Sequence, residues 1–206
     1  MNSAISLLAL AATLVVGDPP TVVFIGDSIT ELWQPHFPES FPGKSYLGRG
    51  ISGQTTAQIL ARFQSDVVLL RPKVVVILAG TNDIAENGGP VTLEMIENNI
   101  ASMTDIAREH HIRVVLSSVL PAADYRWRPG LHPAQKIIAL NGWIREYAKR
   151  NGAVYLDYHS AMADSTGGLR SDLTVDGVHP NLAGFAVMTP LAERAIQSAL
   201  KDRRPF

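Results

Sequence analysis

The chain has 206 residues, 46% hydrophobic and 18% charged, which suffices to bury one sizeable core, so a second full domain is not expected. A net charge of −1, with no Lys/Arg runs, gives no electrostatic footprint for nucleic acid or an anionic membrane and fits small or neutral partners better. The absence of cysteine excludes disulfides, thiolate metal sites and thiol catalysis, and it leaves the compartment open.

In chain order, residues 4–16 (AISLLALAATLVV) are an apolar run of signal-peptide length, too short for a comfortable membrane span and followed by a break at Asp18-Pro19-Pro20. The usual basic region before such a run is missing, so residues 1–20 read either as a leader for export or as a docked helix. Residues 21–206 read as a single domain. Within it, residues 21–25, 45–47, 74–79, 113–118 and 153–156 are short, mostly apolar runs, several continuous and β-branched, as expected for strands covered on both faces. Between them, Leu60, Phe63, Val67 and Leu70 step at helical spacing. So do Leu93, Ile96, Ile100, Met103 and Ala107, and then Ile137, Leu140, Ile144 and Tyr147. A last helix is predicted from Pro180 to about residue 200, with Pro190 predicting a kink or two shorter helices. Strands alternating with helices argue for a parallel sheet wrapped in helices.

Open sheets of this class hold their sites at the carboxyl ends of the strands. After the first strand comes Gly26-Asp27-Ser28, after the second Gly50-Ile51-Ser52-Gly53, and after the third Gly80-Thr81-Asn82-Asp83; Asp176-Gly177-Val178-His179 precedes the last helix. An acyl-transfer site needs a nucleophile, a base, a group that orients the base and donors for an oxyanion. Ser28 would attack, His179 would take its proton, and Asp176 would hold the imidazole in the right tautomer. The backbone N–H groups of Ser28 and Gly53 and the side-chain amide of Asn82 would receive the oxyanion.

Each piece has an ordinary reading as well. Ser28 alone is a helix cap, Gly53 a turn glycine, Asn82-Asp83 an Asx-turn, and Asp-x-x-His a surface pair. Four independent loops seldom supply one complete mechanism by chance. A rival from another class is a non-catalytic binding module that uses the glycine loops as backbone donors for an anion; it has no need of His179. PGKSY at 42–46 is not a phosphate loop, because the required first glycine falls at Pro38. His36, His110, His111, His132 and His159 show no metal-ligand spacing, so no metal is expected, and the chemistry needs no cofactor. Residues 121–133 follow the fourth strand and so face the site side, where Tyr125 and Trp127 would either line the pocket for the leaving alcohol or sit on an ordinary solvated loop.

Four blocks together resemble the SGNH, or GDSL-type, hydrolases: GDSIT around Ser28, GRGISGQTT around Gly53, GTND around Asn82, and DGVH with Asp176 and His179. The run RPKVVVILAGTND is most similar to the branch of platelet-activating-factor-type acetylhydrolases and small carbohydrate acetylesterases. Ile29-Thr30 replaces the eponymous leucine, and Gly48 stands where many relatives carry asparagine. The resemblance implies a flavodoxin-like three-layer α/β/α sandwich with a five-stranded parallel sheet, and a serine esterase for short acyl, chiefly acetyl, esters of small molecules. A lysophospholipase or thioesterase acting on lipid acyl groups is the alternative within the family. Nucleic acid and integral membrane insertion are not expected, and the sequence is silent on oligomeric state. The Gly-x-Ser-x-Gly elbow of α/β-hydrolases is absent, since Thr30 holds its last position.

Overall fold

The chain is described from a computed structural model at residues 19–202; the apolar run at 4–16 lies outside the described residues. Five strands, β1 (Val22–Gly26), β2 (Tyr46–Gly50), β3 (Val74–Leu78), β4 (Arg113–Ser117) and β5 (Val154–Leu156), form one parallel sheet in the order β2-β1-β3-β4-β5. This is the flavodoxin-like order, whose switch point lies where β1 meets β3. The predicted strands match to within a few residues.

Side-chain alternation along the strands feeds two cores. Val23, Ile25, Val75, Ile77, Val114 and Leu116 pack under α3 (Thr56–Ala61), α4 (Phe63–Asp66), α6 (Leu93–Glu109) and α7 (Ala134–Arg150). On the other face, Val22, Phe24, Val74, Val76 and Val115 pack under α1 (Ser28–Trp33), α2 (Phe37–Ser40), α8 (His159–Met162) and α9 (Leu182–Lys201). A further short helix, α5 (Thr81–Ile84), follows β3. The second face is rich in aromatics, with Trp33 stacked on Phe185 at 5.7 Å and Phe24 edge-on to Phe37 at 4.9 Å.

The long helices bury the stripes their periodicity predicts: Ile96, Ile100, Met103 and Ala107 in α6, and Ile137, Leu140 and Ile144 in α7. Two expectations need correction. The segment holding Leu60, Phe63, Val67 and Leu70 is not one helix: it breaks at Arg62, between α3 and α4, and ends in a 3-10 turn at Val68–Leu70. Arg62 is held by distant partners there, donating to the Gly26 carbonyl at 2.8 Å and to Gln54 Oε1 at 2.6 Å. The last helix is one helix through Pro190 rather than two shorter ones, and it starts after Asn181, whose side chain caps the Gly184 N–H at 3.0 Å. Ala186 and Pro190 both lie on its exposed side, so the carbonyl deprived of a partner by proline is on the face open to solvent.

Gly48 sits inside β2, where a Cβ would come within 2.7 Å of Gln34 Cβ. An asparagine there would displace Gln34.

Candidate active site

β1 delivers the first block to the sheet edge. A Cβ on Gly26 would meet the Leu78 carbonyl at 2.5 Å, so glycine lets the chain turn tightly against β3. Asp27 caps α1, its Oδ1 accepting from the Ile29 N–H at 3.0 Å, which places Ser28 at the first helical position. Asp27 is buried, and its Oδ2 has no hydrogen-bond partner among the described residues. Burial pushes its carboxyl up to about 6; the Ile29 bond and the nearby His179 oppose that shift.

Ser28 Oγ lies 2.9 Å from His179 Nε2, and His179 Nδ1 lies 2.7 Å from Asp176 Oδ2. The Asp176–His179 pair is prebuilt within one turn, since Asp176 Oδ1 also accepts the N–H of Val178 at 2.9 Å and of His179 at 2.7 Å. Partial burial pushes the Asp176 carboxyl up, but the His179 and Val178 N–H bonds and the imidazole outweigh it and hold the group below the ordinary carboxylate range. Thr174 closes the turn by donating its hydroxyl to the His179 carbonyl at 2.7 Å.

The second and third blocks are tied to each other and to the first. Gly53 has φ +77°, a left-handed conformation that favours glycine. The Ser52 N–H donates to Glu31 Oε2 at 2.8 Å, and the Ser52 hydroxyl donates to the same oxygen. Asn82 is buried, and its Nδ2 donates to the Gln54 carbonyl at 3.1 Å. Asp83 accepts from the Thr56 N–H at 2.8 Å and the Thr56 hydroxyl at 2.6 Å, pinning the third loop to the start of α3; burial raises its pKa against those bonds.

Ser28, Gly53, Asn82 and His179 meet in a cleft of about 410 Å³, whose apolar walls are Leu32 and Trp127. A larger groove of about 580 Å³ over α2 and α9 is lined by His36, Glu39 and Ser40, but the Ser40 hydroxyl accepts the Trp33 indole N–H at 3.2 Å instead of meeting the imidazole, so linked groups rather than size mark the site. Trp127 is 45% exposed and its ring lies 6.2 Å from that of His179. Tyr125, expected beside it, does not line the cleft. It is 0% exposed, its hydroxyl bonded to Thr81 Oγ1 at 3.1 Å, and it supports the Trp127 ring from below at 5.1 Å. An apolar ring with a single polar tip is placed in the core once that tip has a buried partner, and burial pushes its phenol up to about 12. The motifs do not point to Glu31, Arg62 or Asn87. Glu31 directly follows the first block and Asn87 lies four residues past the third, but the partners that reveal their roles, Ser52 and Trp127, are far along the chain, as is the Gly26 carbonyl that holds Arg62.

With the geometry in place, the comparisons with known proteins are decisive. The profile of the GDSL-like lipase/acylhydrolase family matches residues 24–187. The chain belongs to this family. It is similar to the platelet-activating factor acetylhydrolase IB subunit alpha1 of Rattus norvegicus, at 30% identity over 88% of this chain and 75% of that one. A GDSL-like lipase from Bacteroides thetaiotaomicron has a solved structure that superposes with a TM-score of 0.83 at 46% identity, covering 86% of this chain and 88% of that one. An acetyl-xylooligosaccharide esterase from Geobacillus Stearmophilus shares the fold, with a TM-score of 0.69 at 19% identity over 88% of this chain and 95% of that one. This GDSL-type protein is therefore a carboxylic ester hydrolase. Among its described residues no helix is long and apolar enough to cross a membrane, and no group of three or more His, Asp or Glu is placed to hold a metal ion.

Proposed function

We propose that the protein hydrolyses short-chain acyl esters of small molecules, acetyl esters foremost, through an acyl-enzyme on Ser28. The observation that carries this reading is the unbroken chain Asp176–His179–Ser28, at 2.7 and 2.9 Å. Ser28 Oγ attacks the ester carbonyl while His179 Nε2 takes its proton. Asp176 Oδ2 holds the Nδ1–H and stabilises the imidazolium that forms. The N–H groups of Ser28 and Gly53 and the Asn82 amide receive the charge developing on the carbonyl oxygen. His179 then returns the proton to the departing alkoxide, and the alcohol leaves. Water, deprotonated by the same imidazole, attacks the acyl carbon and frees the carboxylic acid and Ser28.

The preference for short acyl groups is supported by the walls beside Ser28. Ser52, Gly53, Asn82 and Asn87 are small or polar, and the large apolar side chains among the lining residues are Leu32 and Trp127. The 30% identical rat relative is described as an acetylhydrolase, which agrees with that choice.

The test is a series of p-nitrophenyl esters from acetate to octanoate, paired with fluorophosphonate labelling. The expected result is a kcat/KM highest at acetate that falls as the chain lengthens, with label on wild type and none on Ser28→Ala. An optimum at octanoate would move the protein to lipid acyl groups, and labelling of Ser28→Ala would remove Ser28 as nucleophile.

A further inference from the structure

Asn87 lies five residues beyond Asn82, is exposed at the cleft, and belongs to none of the four blocks. Its Nδ2 donates to Asn82 Oδ1 at 2.5 Å, and its own Oδ1 accepts the Trp127 indole N–H at 2.9 Å. Asn82 Nδ2 in turn donates to the Gln54 carbonyl at 3.1 Å. The four groups form one chain of hydrogen bonds: Trp127, Asn87, Asn82, Gln54.

The ends of this chain fix its direction. An amide side chain presents an oxygen on one side and a nitrogen on the other, and either way round has nearly the same shape. An indole N–H can only donate, and a backbone carbonyl can only accept. With the donor at Trp127 and the acceptor at Gln54, both amides align head to tail: Asn87 turns its oxygen to Trp127 and its N–H to Asn82, and Asn82 turns its oxygen to Asn87. The Asn82 nitrogen is thereby held on the opposite side. One of its two N–H bonds is engaged by Gln54, which leaves the other for an oxygen in the cleft.

We infer that Asn87 is a positioning residue that, clamped by Trp127, keeps the Asn82 amide turned with its N–H toward the reacting carbonyl oxygen. The inference rests on the oxyanion role of Asn82 proposed above. A flipped Asn82 would aim its own oxygen at the oxyanion and repel it, so the orientation matters to the transition state more than to ground-state binding. Because Asn87 is exposed, water replaces its N–H in part when the side chain is truncated. A carboxylate at 87 is different: it accepts only, and it draws the Asn82 N–H toward itself and the Asn82 oxygen into the cleft.

The experiment compares Asn87→Ala and Asn87→Asp, each in the wild-type and in the Asn82→Ala background, on p-nitrophenyl acetate, with circular dichroism and fluorophosphonate labelling of Ser28 as controls for folding. Asn87→Ala is expected to lower kcat about 10-fold and Asn87→Asp about 100-fold, approaching the loss of an oxyanion donor, with KM little changed in both. In the Asn82→Ala background both effects are expected to vanish, because the group being positioned is gone. An Asn87→Asp no worse than Asn87→Ala, a loss confined to KM, or a loss that persists without Asn82 would overturn the inference while leaving the oxyanion role standing. If Asn82→Ala itself leaves kcat unchanged, the oxyanion role falls and this inference with it.

Discussion

The site joins two regions built in opposite ways. The turn at 174–181 is self-contained: Asp176 organises itself, Val178 and His179 by contacts within three residues, and Thr174 and Asn181 close and cap it locally. The loops after β1, β2 and β3 are tied together by bonds that reach well beyond each loop, from Arg62 to Gly26 and Gln54, from Ser52 to Glu31, from Thr56 to Asp83, and from Asn82 to Gln54. The proposed proton relay needs one short rigid unit beside the proposed nucleophile, which four residues provide. An oxyanion hole needs donors from several directions, which requires several strands brought into register. The two regions should therefore break differently: the turn by losing chemistry, the loops by losing geometry.

The largest expected effect lies in the turn and its target. Ser28→Ala or His179→Ala should lower kcat by about 10⁴ to 10⁶, and the double variant should look like either single one, because the residues act as a unit. Asp176→Asn should cost about 10⁴, since an amide presents the imidazole wrongly. Losses of Ser28 and His179 that multiply, measured on one ester with contaminating esterase excluded, would count against a single relay.

In the loops the cost should be smaller and of another kind. Asn82→Ala is expected to reduce kcat by roughly 10² to 10³, about 3 to 4 kcal/mol, at nearly constant KM. A rise in KM at unchanged kcat would make Asn82 a ground-state contact and leave the loops without their proposed role.

The same contrast explains what the sequence discloses. Continuous β-branched runs such as VVVIL at 74–78 and the i, i+3, i+4 stripes of α6 and α7 are local signals, and those elements are found where expected. Asp-x-x-His is also local, and the structure brings Asp176 and His179 to Ser28. What pattern reading misses is held at a distance. The break at Arg62 depends on acceptors near residues 26 and 54, the burial of Tyr125 on Thr81, and the continuity of α9 on Pro190 facing water. Asn87 has no periodic or motif signal at all, since its meaning comes from Asn82 on one side and Trp127 on the other.

Asp27 sits between the two regions, and its burial gives a pH signature of stability. Its folded pKa near 6 is raised above the ordinary 3.8, so the unfolded chain loses this proton first. The contribution of Asp27 to stability should then be greatest below about pH 4, fall as pH rises to about 6, and stay level beyond, by a total of roughly 2 to 3 kcal/mol. Asp27→Asn can still accept the Ile29 N–H and has no such step. Urea unfolding of both proteins from pH 3 to 7 should show wild type losing ground to the variant by that amount, and parallel curves would mean the carboxyl is not perturbed.

The smallest effect sharpens the comparison inside a single loop. A Cβ at residue 50 would lie 2.1 Å from the Glu31 nitrogen and 2.7 Å from the Asp27 carbonyl oxygen, so Gly50→Ala should disrupt folding. At residue 53 a Cβ meets nothing within 4 Å, and the only obstacle is the positive φ of +77°. Left-handed backbone costs an alanine about 1 to 2 kcal/mol, so Gly53→Ala should fold with a melting temperature lowered by roughly 2 to 8 °C. Because the Gly53 N–H is a proposed oxyanion donor, any relaxation of that strain moves the donor, and kcat should fall by about tenfold with Ser28 still open to fluorophosphonate. Wild-type kcat in a folded Gly53→Ala protein would show that the N–H at 53 stabilises no charge, and that this loop serves the fold at residue 50 and nothing at residue 53.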